Sequence, residues 1–363
     1  MTHIRPIPAD TQGFRPKHRL GFNTRVSFND VDGPARGLRD GIALFKAAER
    51  LGYQSGWSYQ RHFDNYLSSP LPFLAAVGQV TDRITLGSAV IPMRYQEPIL
   101  LAEAAGVTDL LIGGRLELAI STGANAAFDA VFGTVGTDAR TEAKRRQARF
   151  LTAIRGEALH RVDGLGQGAP EGTELRVTPH SPGLARRIRQ GVSSVGSAIQ
   201  AAELGLALIT GTVQHGQEPG ESFSDHQARI IATYRDTWRR LHGAEAPPVA
   251  VAASILPATT AELRDTYAAY DLERRTQGIA ASRPKGALEP TARTNAPEGS
   301  QISPVLHGTP DQVTAAVLAD PGLAGADELV LFLPPGFDLA QNVRLLTDLA
   351  ETVAPALGWA KAT

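Results

Sequence analysis

Short β-type runs alternate with longer helical patterns along almost the whole chain, and this alternation limits the fold more than any other feature. Strands are expected at 20–28, 53–59, 84–91, 115–121, 188–193, 206–210, 248–256 and 328–333. Between them lie helical stripes at 3.6-residue spacing, such as Leu38, Ile42, Phe45 and Leu51, a helix that should stop at Gly52. Further helices are expected at 70–81, 97–112, 137–155, 197–204, 223–242, 311–319 and 338–354. The 84–91 run is apolar throughout, as befits a parallel strand covered on both faces. Eight strands nearly all followed by helices fit a (β/α)₈ TIM barrel, and they also fit a doubly wound open sheet.

Two stretches interrupt the rhythm. Residues 160–182 are rich in Gly and Pro and read as an insertion after helix 4. Residues 277–304 are long and polar and form the long loop after strand 7, either a lid or a disordered segment. Residues 1–19 read as a flexible N-terminal arm and 20–357 as a single barrel domain.

At 42% hydrophobic and 20% charged, the chain can bury a sizeable core. A net charge of −1 gives no global field for nucleic acid or an anionic membrane. The Arg145-Arg146 and Arg186-Arg187 clusters read as solvated faces. The absence of cysteine removes disulfides and thiolate chemistry and fits a reducing, cytoplasmic setting. No window approaches the ~18 apolar residues of a membrane span. The nine histidines are scattered, so no metal site is expected.

Most local motifs fail on context. The GLGQG run at 164–168 follows no strand and opens no helix, and the 191–195 run lacks the last glycine of a nucleophile elbow. The run QGVSSVGSAIQAA at 190–202 is different: Ser194 and Ser197 fall where a strand gives way to a helix. There they either cap the helix or, with its free N–H groups, receive an anion. Gln60, Arg61 and His62 cluster just past strand 2, where a barrel carries its chemistry; His62 is either a structural histidine or a base.

Several stretches, taken in order, resemble the bacterial luciferase-like flavin-dependent monooxygenases. LFKAAERLGYQSGWSYQRHF at 44–63 is similar to the signature that runs A-A-E-x-x-G-[FY] to a Trp and then E-H-H-F. The block 82–123 contains R-I-x-L-G, x-P-x-x-x-A-E and most of L-D-x-[LM]-S-x-G-R. Phe132-Gly133, the 190–211 run and the Gly308-Thr309-Pro310 turn complete the set. The resemblance implies the barrel rather than the open sheet. It also implies reduced FMN across the C-terminal mouth, with Ser194 and Ser197 at its phosphate, Ser88, Ala89 and Val90 beneath its ring, and Ser121 close by. A non-prolyl cis peptide is expected at Ala89–Val90.

The departures are informative. Where the family has its first signature His, this chain has Arg61, which cannot accept a proton near neutral pH. His62 then takes the acid–base role, or Arg61 holds an anionic substrate or a flavin peroxide by its charge. The family's Cys-Arg pair after strand 4 is Ser121-Thr122 here, so an Arg contact to phosphate is missing. The activity implied is oxidation of a small-molecule organic substrate by molecular oxygen, with a separate flavin reductase and a homodimeric protein. A deazaflavin-dependent oxidoreductase on the same barrel and a non-catalytic flavin-binding paralogue are the alternatives.

Overall fold

The computed structural model of the chain describes residues 19–28, 32–123, 128–134, 138–164, 168–277 and 299–360. Eight parallel strands close into a barrel: β1 (Arg19–Thr24), β2 (Ser55–Ser58), β3 (Thr85–Pro92), β4 (Leu116–Ser121), β5 (Ile188–Val192), β6 (Ala207–Thr210), β7 (Ala250–Pro257) and β8 (Glu328–Phe332). Neighbours in sequence are neighbours in space, and β8 pairs with β1, Leu20 opposite Leu329 and Phe22 opposite Leu331. An open doubly wound sheet would leave an edge where that pairing lies, so the fold is a TIM barrel.

Helices α1 (Gly33–Leu51), α2 (Pro70–Gly78), α3 (Pro98–Leu111), α4 (Ala139–Ile154), α5 (Val195–Glu203), α6 (Phe223–His242), α7 (Ala261–Gln277) and α8 (Leu339–Asp348) follow the strands in turn. Alternate strand residues split into two sets, as a period of two requires. Phe22, Leu86, Leu118, Ile120, Leu208, Val251, Leu329 and Leu331 pack against the helices. Each such side chain contributes about 1.5–3 kcal/mol through removal from water. A smaller inner set, Trp57, Ala89, Ala119, Ile209, Ala250, Ala252 and Val330, fills the barrel itself. Its many alanines leave room above Trp57 for a cavity.

Below Trp57 the barrel interior is ionic. Arg189 Nε lies 2.9 Å from Glu117 Oε2, and its Nη2 lies 3.1 Å from Glu328 Oε2. Arg19 reaches Glu117 at 2.9 Å from the other side, and Ser55 Oγ donates to Glu328 Oε1 at 2.5 Å. Burial opposes ionisation of Glu117, but Arg189 and Arg19 outweigh it and hold its carboxyl below the usual range.

Several residues of the signature-like stretches hold turns together. The Glu49 carboxylate accepts from the backbone N–H groups of Asp82, Arg83 and Ile84. Arg115 donates to the carbonyls of Gly78, Thr81, Ile84 and Ile112. Asp109, fully buried, accepts from Leu116 N, from Ser181 Oγ at 2.5 Å and from Arg187 Nη2 at 2.7 Å. Arg187 is therefore not a purely solvated face: it ties the entrance to β5 to Asp109 and Gly114 at the α3–β4 turn, while Ser181 ties the end of the insertion to the same carboxylate. Likewise Arg146 donates to the carbonyls of Arg94 and Gln96.

Other expectations shift at their edges. β1 ends at Thr24 because Val26 takes φ +50°, outside the extended range. The last helix ends at Asp348 and widens into a π turn at Leu349–Val353 before Pro355. The 160–182 insertion carries a small antiparallel pair, His160–Arg161 with Glu174–Leu175. The long excursion follows α7 rather than β7 directly, and residues 278–298, on which the lid expectation falls, lie outside the described residues. So do residues 1–18 of the expected arm and 165–167 of the GLGQG run. The sequence reading missed a strand at Val305–Gly308, which pairs with the outer end of β7, and a pairing of Gln301–Ile302 with Val213–Gln214. No helix among the described residues is long and apolar enough to cross a membrane.

Candidate functional site

A cavity of about 380 Å³ opens at the C-terminal ends of the strands. Every barrel strand contributes to its wall directly or through the residues that follow it: Asn23 and Arg25, Gln60 to His62, Ala89 and Val90, Ser121, Val192 and Ser193, Thr210, Ala252, and Phe332. This is the size of a small-molecule site and the face on which barrels carry their chemistry. Its ionisable lining comprises Arg25, Arg61, His62, Tyr59, Tyr95 and His215, with no carboxylate among the described residues.

On the β1–β2 side, two loops are stitched together through the backbone. Tyr59 N donates to Thr24 O at 2.9 Å, Leu67 N to Arg25 O at 3.3 Å, and Arg61 N to Leu67 O at 3.0 Å. Both expected catalytic residues line the cavity here. Arg61 Nε sits 2.8 Å from Asp64 Oδ2, so its charge is met within its own loop. His62 packs edge-on against Phe132 with ring centres 5.0 Å apart, and against Tyr95 at 6.2 Å. Burial pushes its pKa below 6.5, so the imidazole is neutral near pH 7. Its Nε2 is buried with no hydrogen-bond partner among the described residues.

On the β3–β4 side, the Ala89–Val90 peptide is cis, at the expected position. Ala89, Val90 and Ser121 line the cavity; Ser88 does not. Ser88 is fully buried and donates to Ser58 O at 3.1 Å, which ties β3 to β2. Asn23 Nδ2 donates to Ala89 O at 3.3 Å, while its Oδ1 has no partner although the residue is only 5% exposed. Across the barrel, a Cβ on Gly191 would lie 2.4 Å from Val90 Cγ1, so only glycine lets β5 sit this close to that side chain.

On the β5–β6 side, Ser194 and Ser197 form a reciprocal cap at the start of α5. Ser197 Oγ accepts from the N–H groups of Ser193 and Ser194 at 3.2 and 3.1 Å. Neither lines the cavity; Ser193, one residue earlier, does. His215 faces the cavity beside it, with its N–H donating to Ser193 O at 2.9 Å. Its carbonyl is 3.2 Å from His226 Nε2, and His226 Nδ1 lies 2.9 Å from Glu221. Burial, then the nearby His226 and Arg140, lower the His215 pKa.

The sequence reading did not single out Asn23, Arg25, Tyr95, Ser193 or His215. Asn23 and Arg25 could have been found by the rule that selected 60–62, polar residues just past a buried strand, applied to strand 1 as well.

The outer rim is aromatic. Tyr95 stacks on Phe132 at 4.6 Å, and Phe128 packs on Phe63 at 5.1 Å. Asp129 clasps this rim to the barrel: Arg94 donates to both its carboxylate oxygens, Tyr95 Oη at 3.0 Å and Thr134 Oγ1 at 2.8 Å. The Arg94 guanidinium, aided by those hydroxyls, holds the Asp129 carboxyl down to about 2, against a usual 3.8. A depressed folded value means the clasp's stabilisation is complete above pH 3.8 and lost as pH falls towards 2. Hydrogen exchange of the 128–134 amides, corrected for intrinsic rate, should therefore accelerate across that interval and be fast at all pH values in Asp129→Ala.

The profile described as luciferase-like monooxygenase matches residues 21–327. The chain is 28% identical over 220 residues to 4-hydroxyprotoasukamycin monooxygenase of Streptomyces nodosus subsp. asukaensis, covering 56% of this chain and 57% of that one. It is 34% identical over 85 residues to the oxygenase component of the flavin-dependent trigonelline monooxygenase of Acinetobacter baylyi, covering 23% and 24%. These matches span from about a quarter to just over half the length of the relatives. Among solved structures, the oxygenating constituent of 3,6-diketocamphane monooxygenase from Pseudomonas putida, in complex with FMN, superposes with a TM-score of 0.71 at 18% identity, over 94% of this chain and 99% of that one. The coenzyme F420-dependent tetrahydromethanopterin reductase of Methanopyrus kandleri does so with 0.63 at 16%, over 94% and 99%. At such identities the likeness is one of fold. With the family profile running through nearly the whole barrel, the chain belongs to the luciferase-like monooxygenase family.

Proposed function

We propose that this protein is a flavin-dependent oxidoreductase, the oxygenase component of a two-component monooxygenase that uses reduced FMN, molecular oxygen and a small organic substrate. The observation that carries the reading is the C-terminal cavity, which sets Ala89, Val90 and Ser121 on one side against the hydroxyl and imidazole of Ser193 and His215 on the other. The donor and acceptor set fits a flavin. Asn23 Oδ1, buried and unpartnered, suits a ring N–H, and Ser193 with His215 suits a phosphate. Ser194 and Ser197 would act from behind, by fixing the backbone of the α5 entrance. Ala89 and Val90 would support the ring and Ser121 border it, with Ser88 behind them tying β3 to β2.

When bound, the reduced flavin supplies the electrons and the site of oxygen activation. The chain's own residues do the rest. The aromatic rim of Tyr95, Phe128 and Phe132 keeps water from the mouth, and neutral His62 exchanges a proton with the substrate side. A separate flavin reductase would supply the reduced cofactor. A homodimer belongs to the same reading, and the exposed stripe of Leu100, Val107 and Leu111 on α3 is an apolar surface it would cover.

Deazaflavin coenzyme F420 is the second reading, favoured by the structural likeness to an F420-dependent reductase. Oxygen uptake separates the two. With reduced FMN regenerated by a flavin reductase, the protein should couple oxygen consumption to product formation from a panel of organic substrates. Hydride transfer with F420 in the absence of oxygen, and none with FMN, would replace the first reading by the second.

A further inference from the structure

We propose that the substrate is an uncharged molecule that offers a hydroxyl or N–H donor, and that Gln60 receives this donor at the cavity wall. The proposal rests on the flavin reading for the chemistry the substrate undergoes, not for how it is held. Gln60 lies two residues past β2, in the loop that also carries His62, and it lines the cavity. Its Nε2 donates to Ser68 O at 2.9 Å. A backbone carbonyl only accepts, so this bond fixes which end of the amide is which, and the remaining end is an acceptor. That acceptor, Oε1, has no hydrogen-bond partner among the described residues, although Gln60 is only 7% exposed. A buried carbonyl oxygen left unpaired is unfavourable, and a bound donor relieves it.

Charge explains why the donor belongs to a neutral group. The lining holds no carboxylate among the described residues, while Arg25 and Arg61 are both part of it. An ammonium group would meet two guanidinium ions and no counter-ion. A carboxylate would find both guanidinium ions engaged within the protein. Arg61 Nε lies 2.8 Å from Asp64 Oδ2. Arg25 hydrogen-bonds the Tyr66 hydroxyl, and its guanidinium carbon lies 5.0 Å from the Tyr66 ring centre, 5.1 Å from that of Tyr59 and 5.4 Å from that of Phe332. A carboxylate would also set acceptor against acceptor at Gln60 Oε1. A neutral O–H or N–H meets neither difficulty.

A flavin accounts for only one of two fixed acceptors at the mouth. Asn23 repeats the pattern on β1: its Nδ2 donates to Ala89 O at 3.3 Å, and its Oδ1 is left unpartnered. The bond to Ala89 ties Asn23 to the β3 wall, the side assigned to the flavin ring. Gln60 is tied instead to Ser68, in the loop of Tyr59 and His62. The rings of Tyr59, His62, Tyr95, Phe128 and Phe332 all belong to the lining. Aromatic walls take a flat ring, so simple arenes that differ in one polar substituent are suitable probes.

The test uses the protein loaded with oxidised FMN at about pH 7, where phenol and aniline are uncharged. It is titrated with phenol, aniline, toluene, benzoate and benzylammonium and followed by flavin absorbance. Toluene matches phenol in shape and is less well hydrated, so a wall without a free acceptor prefers toluene. Phenol and aniline should instead bind at least about tenfold more tightly than toluene, and the two ions most weakly. Gln60→Met should reverse the order of phenol and toluene by removing the acceptor, with FMN affinity kept within about twofold. Toluene binding as tightly as phenol in the wild type, or no phenol binding up to about 10 mM, overturns the proposal without recourse to the variant. Tighter binding of either ion than of phenol overturns the uncharged substrate. A Gln60→Met protein that still prefers phenol, or that loses FMN affinity in parallel, overturns the assignment to Gln60. The same titrations on the flavin-free protein, followed by calorimetry, keep the two claims apart. Failure to bind FMN or F420 rejects the flavin reading, whereas a Gln60-dependent preference for phenol still supports the donor-bearing substrate.

Discussion

On the proposed reading the His62→Ala protein should turn over about 10²–10⁴-fold more slowly than the wild type while retaining FMN affinity, because it loses the cavity side chain assigned there to move a proton at the substrate side. His62 faces the cavity, is neutral near pH 7 because burial lowers its pKa, and has a buried Nε2 without a partner. Arg61, next to it, is locked to Asp64 and cannot substitute. The pH profile of kcat/KM supplies the sign. A base with a depressed pKa stays active down to lower pH than a free histidine, so the acidic limb should fall below pH 6.5. That limb should vanish in His62→Ala, and added imidazole should restore part of the rate. An unchanged kcat in the variant would mean that His62 only packs the aromatic rim.

The second large effect is on stability. Arg189→Met should destabilise the fold by about 3–5 kcal/mol in chemical denaturation, since it strips two buried carboxylates of their shared counter-charge. Glu328 is fully buried and Glu117 nearly so, and Arg19, at 3.8 Å from Glu328 and partly exposed, cannot serve both. The loss should be smaller at pH 5 than at pH 8. In the variant the burial that opposes ionisation of Glu117 is offset by one counter-charge fewer, so protonation at low pH relieves the folded state. The wild type moves the other way, because Glu117, held below its usual value, loses its stabilisation as pH falls. A triple variant with Glu117→Gln and Glu328→Gln should recover part of the deficit. An equal loss at both pH values would point to lost packing against Trp57, 5.6 Å from the Arg189 guanidinium, as the cause.

The barrel was legible because its strands alternate two apolar faces, both buried, and because each helix follows at an amphipathic period. All eight barrel strands lie within the expected segments or within a residue of their ends. The Val305–Gly308 strand was not legible: it comes straight after the irregular 277–304 stretch and, among the described residues, pairs only with the last four residues of β7. Of the expected site residues, Arg61, His62, Ala89, Val90 and Ser121 are brought together at the mouth. Ser88, Ser194 and Ser197 are turned to structural bonds instead, because a strand residue faces inward only every second position and a capping serine spends its hydroxyl on the helix. Arg25 escaped notice because the rule that selected 60–62 was not applied past strand 1, and His215 because it stands apart in sequence and only barrel closure brings it to the cavity. Glu49, Asp109 and Arg115 teach a related lesson. The most recognisable stretches of the chain are rich in residues that tie turns, so resemblance there speaks first of architecture.

The account stands on reduced flavin binding at this mouth, and an anaerobic fluorescence titration with reduced FMN measures it directly. The prediction is a dissociation constant of about micromolar order, weakened at least about tenfold by Gly191→Val, which would push a side chain into Val90 at the cavity wall. No binding of reduced FMN at that concentration, or binding that Gly191→Val leaves unchanged, would contradict it.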